Sequence, residues 1–197
     1  MAKLYFIFGA MTCGKTTALL QAAYNYEKNG LNATVIKSSI DKKGDRDVVS
    51  RLGVKREVDL LIEPNESLLD SIDLDNTNFI LVDEVQFMPK KQIDELWMIT
   101  KLLDIPVICY GLKTNFKGEL FEGSKRMVEL ADELDELVTI CECGKKARFN
   151  ARVINGQFVD EGDVVAIDGI DAEYIPLCGK CYIEKVMGID DNWFNQG

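Results

Sequence analysis

Histidine does not occur among the 197 residues. Any proton transfer or metal binding has to proceed without imidazole, which removes a common acid, base and zinc ligand at once. Positive charge is the scarcer sign: 23 Lys and Arg stand against 33 Asp and Glu, a net charge of -10 with a sequence pI near 4.6. Affinity for a phosphate backbone comes from clustered Lys and Arg, so no nucleic-acid partner is expected, and any phosphate bound should be small and met locally. No apolar run approaches the ~20 residues that cross a bilayer. No basic and apolar leader is visible either, since Met1-Ala2-Lys3 passes straight into the first strand. The expectation is a cytoplasmic protein with no membrane partner. Its six cysteines are then expected to ligate metal or to be buried rather than to form disulfides. A chain of this length suits one main core with a small appendage.

What the chain does contain is a phosphate-binding signature. Leu4-Tyr5-Phe6-Ile7-Phe8 runs into Gly9-Ala10-Met11-Thr12-Cys13-Gly14-Lys15-Thr16, followed by Ala18, Leu19, Leu20, Ala22 and Ala23 at helical spacing. This reads as strand, glycine-rich loop, helix. The glycines allow a tight turn whose N–H groups point inward, and the helix adds its positive N-terminal dipole. Lys15 is positioned by the motif for the β- and γ-phosphates and Thr16 for Mg²⁺.

The helix is expected to stop at Asn29-Gly30, and Ala33-Thr34-Val35-Ile36-Lys37 to form the next strand, giving a βαβ unit and hence a parallel sheet. The polar stretch from Ser38 to Val58 reads as a loop with a short element carrying Ser50-Arg51-Leu52-Gly53; Arg46 and Arg51 can meet phosphate there or simply be solvated. Phe79-Ile80-Leu81-Val82 shows no alternation, as in a strand buried on both faces, and ends in Asp83-Glu84-Val85-Gln86. Asp83 fits the Mg²⁺-holding acid of a phosphate-loop site, and Glu84 fits a base for the attacking group; an exposed or capping acid pair is the plainer alternative. An amphipathic helix is expected over 89–103 and a buried strand over 106–110, with Cys109 a core residue. Ser124 is expected to cap a helix reaching Glu136, with Val128 and Leu134 inward.

Beyond Leu137 the chain changes to short strands, turns and cysteines, with Asn155-Gly156 a hairpin signal. Cys141, Cys143, Cys178 and Cys181 form two close pairs, suited to a closed structural zinc site with four thiolates. A boundary is therefore expected between residues 1–137, an α/β nucleotide-binding domain, and 138–197, a zinc-binding lobe.

The glycine loop, Asp83-Glu84-Val85-Gln86-Phe87, the run Gly111-Leu112-Lys113-Thr114-Asn115-Phe116-Lys117-Gly118-Glu119-Leu120-Phe121 and the paired cysteines together resemble the cytosolic, type II thymidine kinase family. Ser50-Arg51-Leu52-Gly53 and Ile140-Cys141-Glu142-Cys143-Gly144 are similar to its enterobacterial branch. The resemblance implies a RecA-like phosphate-loop sheet with helices on both faces and a small zinc-ribbon-like lobe bearing a lasso loop. It implies ATP, Mg²⁺ and structural Zn²⁺ as cofactors, thymidine or deoxyuridine as substrate, a homotetramer, and feedback inhibition by dTTP. By matched position, Gly9, Ala10, Met11, Thr12, Cys13, Gly14, Lys15, Thr16, Asp83, Glu84, Val85 and Gln86 form the nucleotide site, with Glu84 as base. Met11, Arg51, Leu112, Phe116, Phe121, Val165, Ile167 and Tyr174 are assigned to the nucleoside, and the lasso spans 164–174. Many family members carry His at Arg51 and an acid at Lys113. Two other classes are weighed against this one. A nucleotide switch lacks its Asn-Lys-x-Asp guanine reader, and a nucleic-acid-binding zinc ribbon lacks a basic face.

Overall fold

The computed structural model describes residues 1–41, 46–164 and 172–190. By contact the chain divides into two units: 1–8, 14–113 and 121–137 form the first, and 9–13, 114–120 and 138–197 the second.

In the first unit, β1 (Leu4–Phe8), β2 (Ala33–Ser38), β3 (Leu60–Ile62), β4 (Phe79–Asp83), β5 (Val107–Gly111) and β6 (Glu133–Glu136) make one sheet in the order β3-β2-β4-β5-β1-β6. Every neighbouring pair is parallel. All five residues of β4 are buried because the sheet is covered on both sides. Phe79 and Leu81 join a cluster with Leu19, Leu20 and Ala23 of α1 (Lys15–Lys28), while Ile80 and Val82 join one with Ile93, Leu96 and Ile99 of α2 (Lys90–Leu102). That is the physical reason for an apolar run without alternation. The expected α/β fold is present, and helix α1 ends where Gly30, at φ 76°, can take the left-handed turn.

Two local expectations change. Asp47–Val49 and Lys55–Glu57 pair as an antiparallel ribbon closed by a turn in which the Gly53 N–H meets the Ser50 carbonyl. Residues 42–45 of the polar stretch lie outside the described ones. The helix expected from Ser124 to Glu136 is two elements: α3 (Glu122–Leu130) and strand β6. Ser124 sits inside α3, and Phe121 holds the capping position. The open edge of β1 wins over helical spacing here. The Asp132 carboxylate accepts the Leu4 N–H at 2.8 Å, the Asp132 N–H reaches the Leu4 carbonyl, and Glu133, Leu134, Asp135 and Glu136 pair in register with β1. Leu134 consequently faces solvent, Val128 is exposed on α3 rather than inward, and the acids of β6 give the sheet a charged edge.

In the second unit, Gln157–Val159, Phe149–Ile154 and Ala172–Leu177 form an antiparallel sheet with Phe149–Ile154 central. Asn155 and Gly156, at φ 51° and 76°, make the expected hairpin turn. A ribbon of Thr139–Ile140 with Lys146–Ala147, and helix α4 (Gly179–Lys185), complete it. Its core is small: Ala147, Ala151, Leu177 and Tyr182 pack with three buried cysteines.

Candidate active site

The glycine-rich loop leaves β1 and changes contact unit between Cys13 and Gly14. Gly14 is left-handed at φ 88°, and so is Thr12 at φ 68°, a conformation that strains a β-branched residue. Lys15 opens α1 and is buried, with Thr16 beside it half-buried. In the second unit, the Met11 N–H donates to the Asn150 side-chain oxygen at 2.7 Å, and the Cys13 N–H reaches the Ala10 carbonyl. Asn150 is 4% exposed and is a loop anchor that sequence reading missed. Only its position between two apolar residues of a strand hinted at burial.

Asp83 ends β4 at 5% exposure. Burial, with the charges of Glu84 and Asp41 added, pushes its carboxyl up to about 7, against the opposing Glu84 N–H and Lys15 charge. An acid with a raised folded pKa stabilises the fold fully below its unfolded value near 3.8, and that contribution is lost as pH rises through about 7. The metal-free protein should therefore lose on the order of a few kcal/mol between pH 4 and 7 relative to Asp83→Asn, read from denaturant midpoints across that range. Parallel pH profiles for the two proteins would disprove this.

Glu84 is left-handed at φ 50° and ψ 43°, a second strained non-glycine residue. Gln86 braces it: its side-chain N–H₂ donates to the Glu84 carboxylate at 2.5 Å, and its oxygen accepts the Leu112 N–H at 2.9 Å. One amide thus couples the acid after β4 to the loop after β5. The turn is pressed from two sides. A Cβ on Gly111 would lie 2.6 Å from the Gln86 oxygen, and one on Gly123 2.5 Å from the Val85 carbonyl and 2.6 Å from that of Met88. Alanine normally favours a helix over glycine by ~1 kcal/mol. At Gly123 the clash is with backbone and outweighs this, so Gly123→Ala should cost about 1–3 kcal/mol in thermal melts and slow turnover by displacing Glu84. A variant as stable as the parent would show that the turn is not wedged there.

Leu112 is buried, its carbonyl accepting the Ser124 hydroxyl at 2.6 Å, and Phe121 stands edge-on to Phe87. Arg51 projects from the exposed ribbon turn. Phe116, in the second unit, is 2% exposed; the Tyr182 hydroxyl donates to its carbonyl and the Arg152 guanidinium lies 4.8 Å from its ring centroid. Met11, through Asn150, and Phe116, through Arg152, therefore meet the same strand. Tyr174 is half-buried on Ala172–Leu177, opposite Arg152. Val165 and Ile167 lie outside the described residues, as does most of the expected lasso.

The sulfurs of Cys141, Cys143, Cys178 and Cys181 lie within 4.8 Å of one another, and those of Cys143 and Cys178 are 3.5 Å apart. Tetrahedral Zn–S bonds of about 2.3 Å need sulfurs about 3.8 Å apart, so the set fits zinc. Gly144, at φ 82°, lets the chain turn back after the first pair, and Cys178 holds the capping position before α4, which carries Cys181 in its first turn. The Cys181 N–H pulls the Cys178 thiol down to about 7, whereas Cys181, hydrogen-bonded to Cys143, is pushed up to about 12. Four thiols this close ionise together only around a cation.

A family profile described as thymidine kinase matches residues 2–182. The thymidine kinase of Vibrio cholerae is 44% identical over 192 residues, covering 94% of this chain and 99% of the relative. Those of Pasteurella multocida, at 41% over 191 residues, and Shewanella oneidensis, at 42% over 192, cover the same shares. With a parallel sheet and a four-cysteine cluster each in its own unit, and a glycine-rich loop following β1 in the chain, this chain belongs to the thymidine kinase family.

Proposed function

We propose that this thymidine kinase transfers the γ-phosphoryl group of ATP to the 5′-hydroxyl of thymidine, and of deoxyuridine, with Glu84 as the base that accepts the hydroxyl proton. The observation that carries the reading is the brace on Glu84: a left-handed backbone and the Gln86 hydrogen bond hold one carboxylate oxygen at the C-terminal edge of a parallel sheet, where such folds bind ligands. Gly9, Ala10, Met11, Thr12, Cys13 and Gly14 form the phosphate cradle, and Lys15 offsets charge on the β- and γ-phosphates. Thr16 and Asp83 are the residues that would hold Mg²⁺, and a buried carboxyl pushed up to about 7 is a site short of positive charge. When bound, the ion neutralises developing charge on the transferring group. Most of the acceleration then comes from positioning and electrostatics.

Met11, Phe116 and Tyr174 of the second unit line the nucleoside pocket in this reading, and the family resemblance also assigns Leu112, Phe121, Val165, Ile167 and Arg51 to the nucleoside. Zinc on Cys141, Cys143, Cys178 and Cys181 is structural, since four thiolates leave no open position. We infer further that dTTP inhibits, that the chain assembles as a homotetramer, and that it works in the cytoplasm. No helix among the described residues is long and apolar enough to cross a membrane. ATP consumption measured against a panel of nucleosides tests the assignment: turnover should require thymidine or deoxyuridine, and ATP hydrolysis indifferent to added nucleoside would overturn it.

A further inference from the structure

Arg152 is a buried cation that neither the zinc cluster nor the proposed phosphoryl transfer uses. It lies on the central strand Phe149–Ile154 and is 3% exposed. No carboxylate pairs with it among the described residues. Its Nη1 donates to the Asp163 carbonyl at 2.8 Å, its guanidinium covers the Phe116 ring, and its Nε is buried without a partner among those residues. Burying a charge with so few compensating bonds is costly, and an apolar side chain would fill the space more cheaply. What a guanidinium adds is a flat face for an aromatic ring together with donors in a rigid fork.

We propose that Arg152 is a positioning residue for nucleoside binding: by stacking on Phe116 and tethering the backbone at Asp163 it fixes the aromatic wall of the nucleoside pocket. The proposal rests on the reading that Phe116 lines that pocket. One contact on the ring, one on its backbone and a local brace of the neighbouring chain support it. The Tyr182 hydroxyl holds the Phe116 carbonyl at 2.5 Å, Arg152 holds the ring face, and the chain around Phe116 is pinned by the Asn115 side-chain oxygen accepting the N–H groups of Lys117 and Glu119. The backbone at Phe116 is thus anchored on both sides, and Arg152 covers the face of its ring.

The test compares Arg152→Lys, Arg152→Met and Phe116→Leu for thymidine KM, ATP KM, kcat and melting temperature. Arg152→Lys keeps the charge and loses the planar face and fork, so it remains informative if Arg152→Met fails to fold. The expected result for Arg152→Lys is a roughly tenfold higher thymidine KM, with kcat within about threefold and ATP KM and melting unchanged. Equal losses for both substrates together with a lowered melting temperature would show a purely structural residue and overturn the proposal. So would a raised thymidine KM in Phe116→Leu with none in Arg152→Lys. If neither variant alters thymidine KM, the pocket reading of Phe116 falls as well.

Discussion

Glu84→Gln should fold, bind ATP with the parent's affinity and phosphorylate thymidine on the order of 10²–10⁴ times more slowly. The substitution is close to isosteric, and its amide oxygen can still accept the hydrogen bond that Gln86 donates to the Glu84 carboxylate. The turn therefore keeps its brace while the proton acceptor is lost. Because the loss falls on the chemical step, it should appear in kcat, with KM for both substrates little altered. The backbone at this position offers an internal control. A left-handed non-glycine residue carries strain of order 1 kcal/mol or more, so Glu84→Gly should be equally inactive yet no less stable than Glu84→Gln in thermal melts. An inactive protein that is not destabilised separates a chemical role from a structural one. Steady-state rates for Glu84→Gln equal to the parent's would remove Glu84 as the base.

Stripping zinc should have the largest effect on structure. The cluster around the cysteines holds four other buried residues, with Phe149, Phe158, Ile175 and Val186 only partly buried against it, little apolar area to offset the entropy of ordering its strands. Structural zinc contributes about 10–16 kcal/mol of binding energy in isolated zinc-finger peptides, and that energy becomes folding energy where the site does not exist in the unfolded chain. Cys141→Ser, or a strong chelator on the parent, should abolish the one-to-one zinc content measured by elemental mass spectrometry. It should also lower the melting temperature by more than ten degrees, the consequence of losing several kcal/mol in a protein of this size. Gly9–Cys13 belongs to the same unit, and Met11 is tied to Asn150 on its central strand, so nucleotide binding should weaken in parallel. Sub-stoichiometric metal in the parent, or unchanged melting after chelation, would show that the four thiols do not hold the unit together.

The two predictions draw differently on what sequence reading could reach. Glu84 was legible because an acid pair after four non-alternating apolar residues, downstream of Gly9 to Thr16, has few other readings. The brace that gives Glu84 its orientation was not. Gln86 stood in the motif as one more nucleotide-site residue, and nothing local says that its amide spans from the end of β4 to the Leu112 N–H. Gly111 and Gly123 were visible as glycines, but the carbonyls and amide they admit come from a turn 25 to 38 positions earlier in the chain. The cysteine cluster was legible as two spaced pairs of a residue that nothing else in the chain employs in that way. Asn150 and Arg152 were not, since an Asn and an Arg in a short strand read equally well as surface.

The strand Glu133–Glu136, expected as the end of a helix, arises in the same way. Met127 and Leu130 carry a helical spacing that continues on paper to Leu134, yet the hydrogen bonds offered by the open edge of β1 claim residues 133–136 for the sheet. By itself, then, the sequence determined the parallel α/β core, the glycine-rich loop, the acid pair at the strand end and the four-cysteine set, because each depends on residues adjacent in the chain and on side-chain chemistry with few alternatives. Tertiary structure alone decided the strand that closes the sheet, the turn wedged between Gly111 and Gly123, the Gln86 bridge and the company that Phe116 keeps. Those depend on groups distant in sequence competing for one partner, and that competition is settled only when the backbone folds.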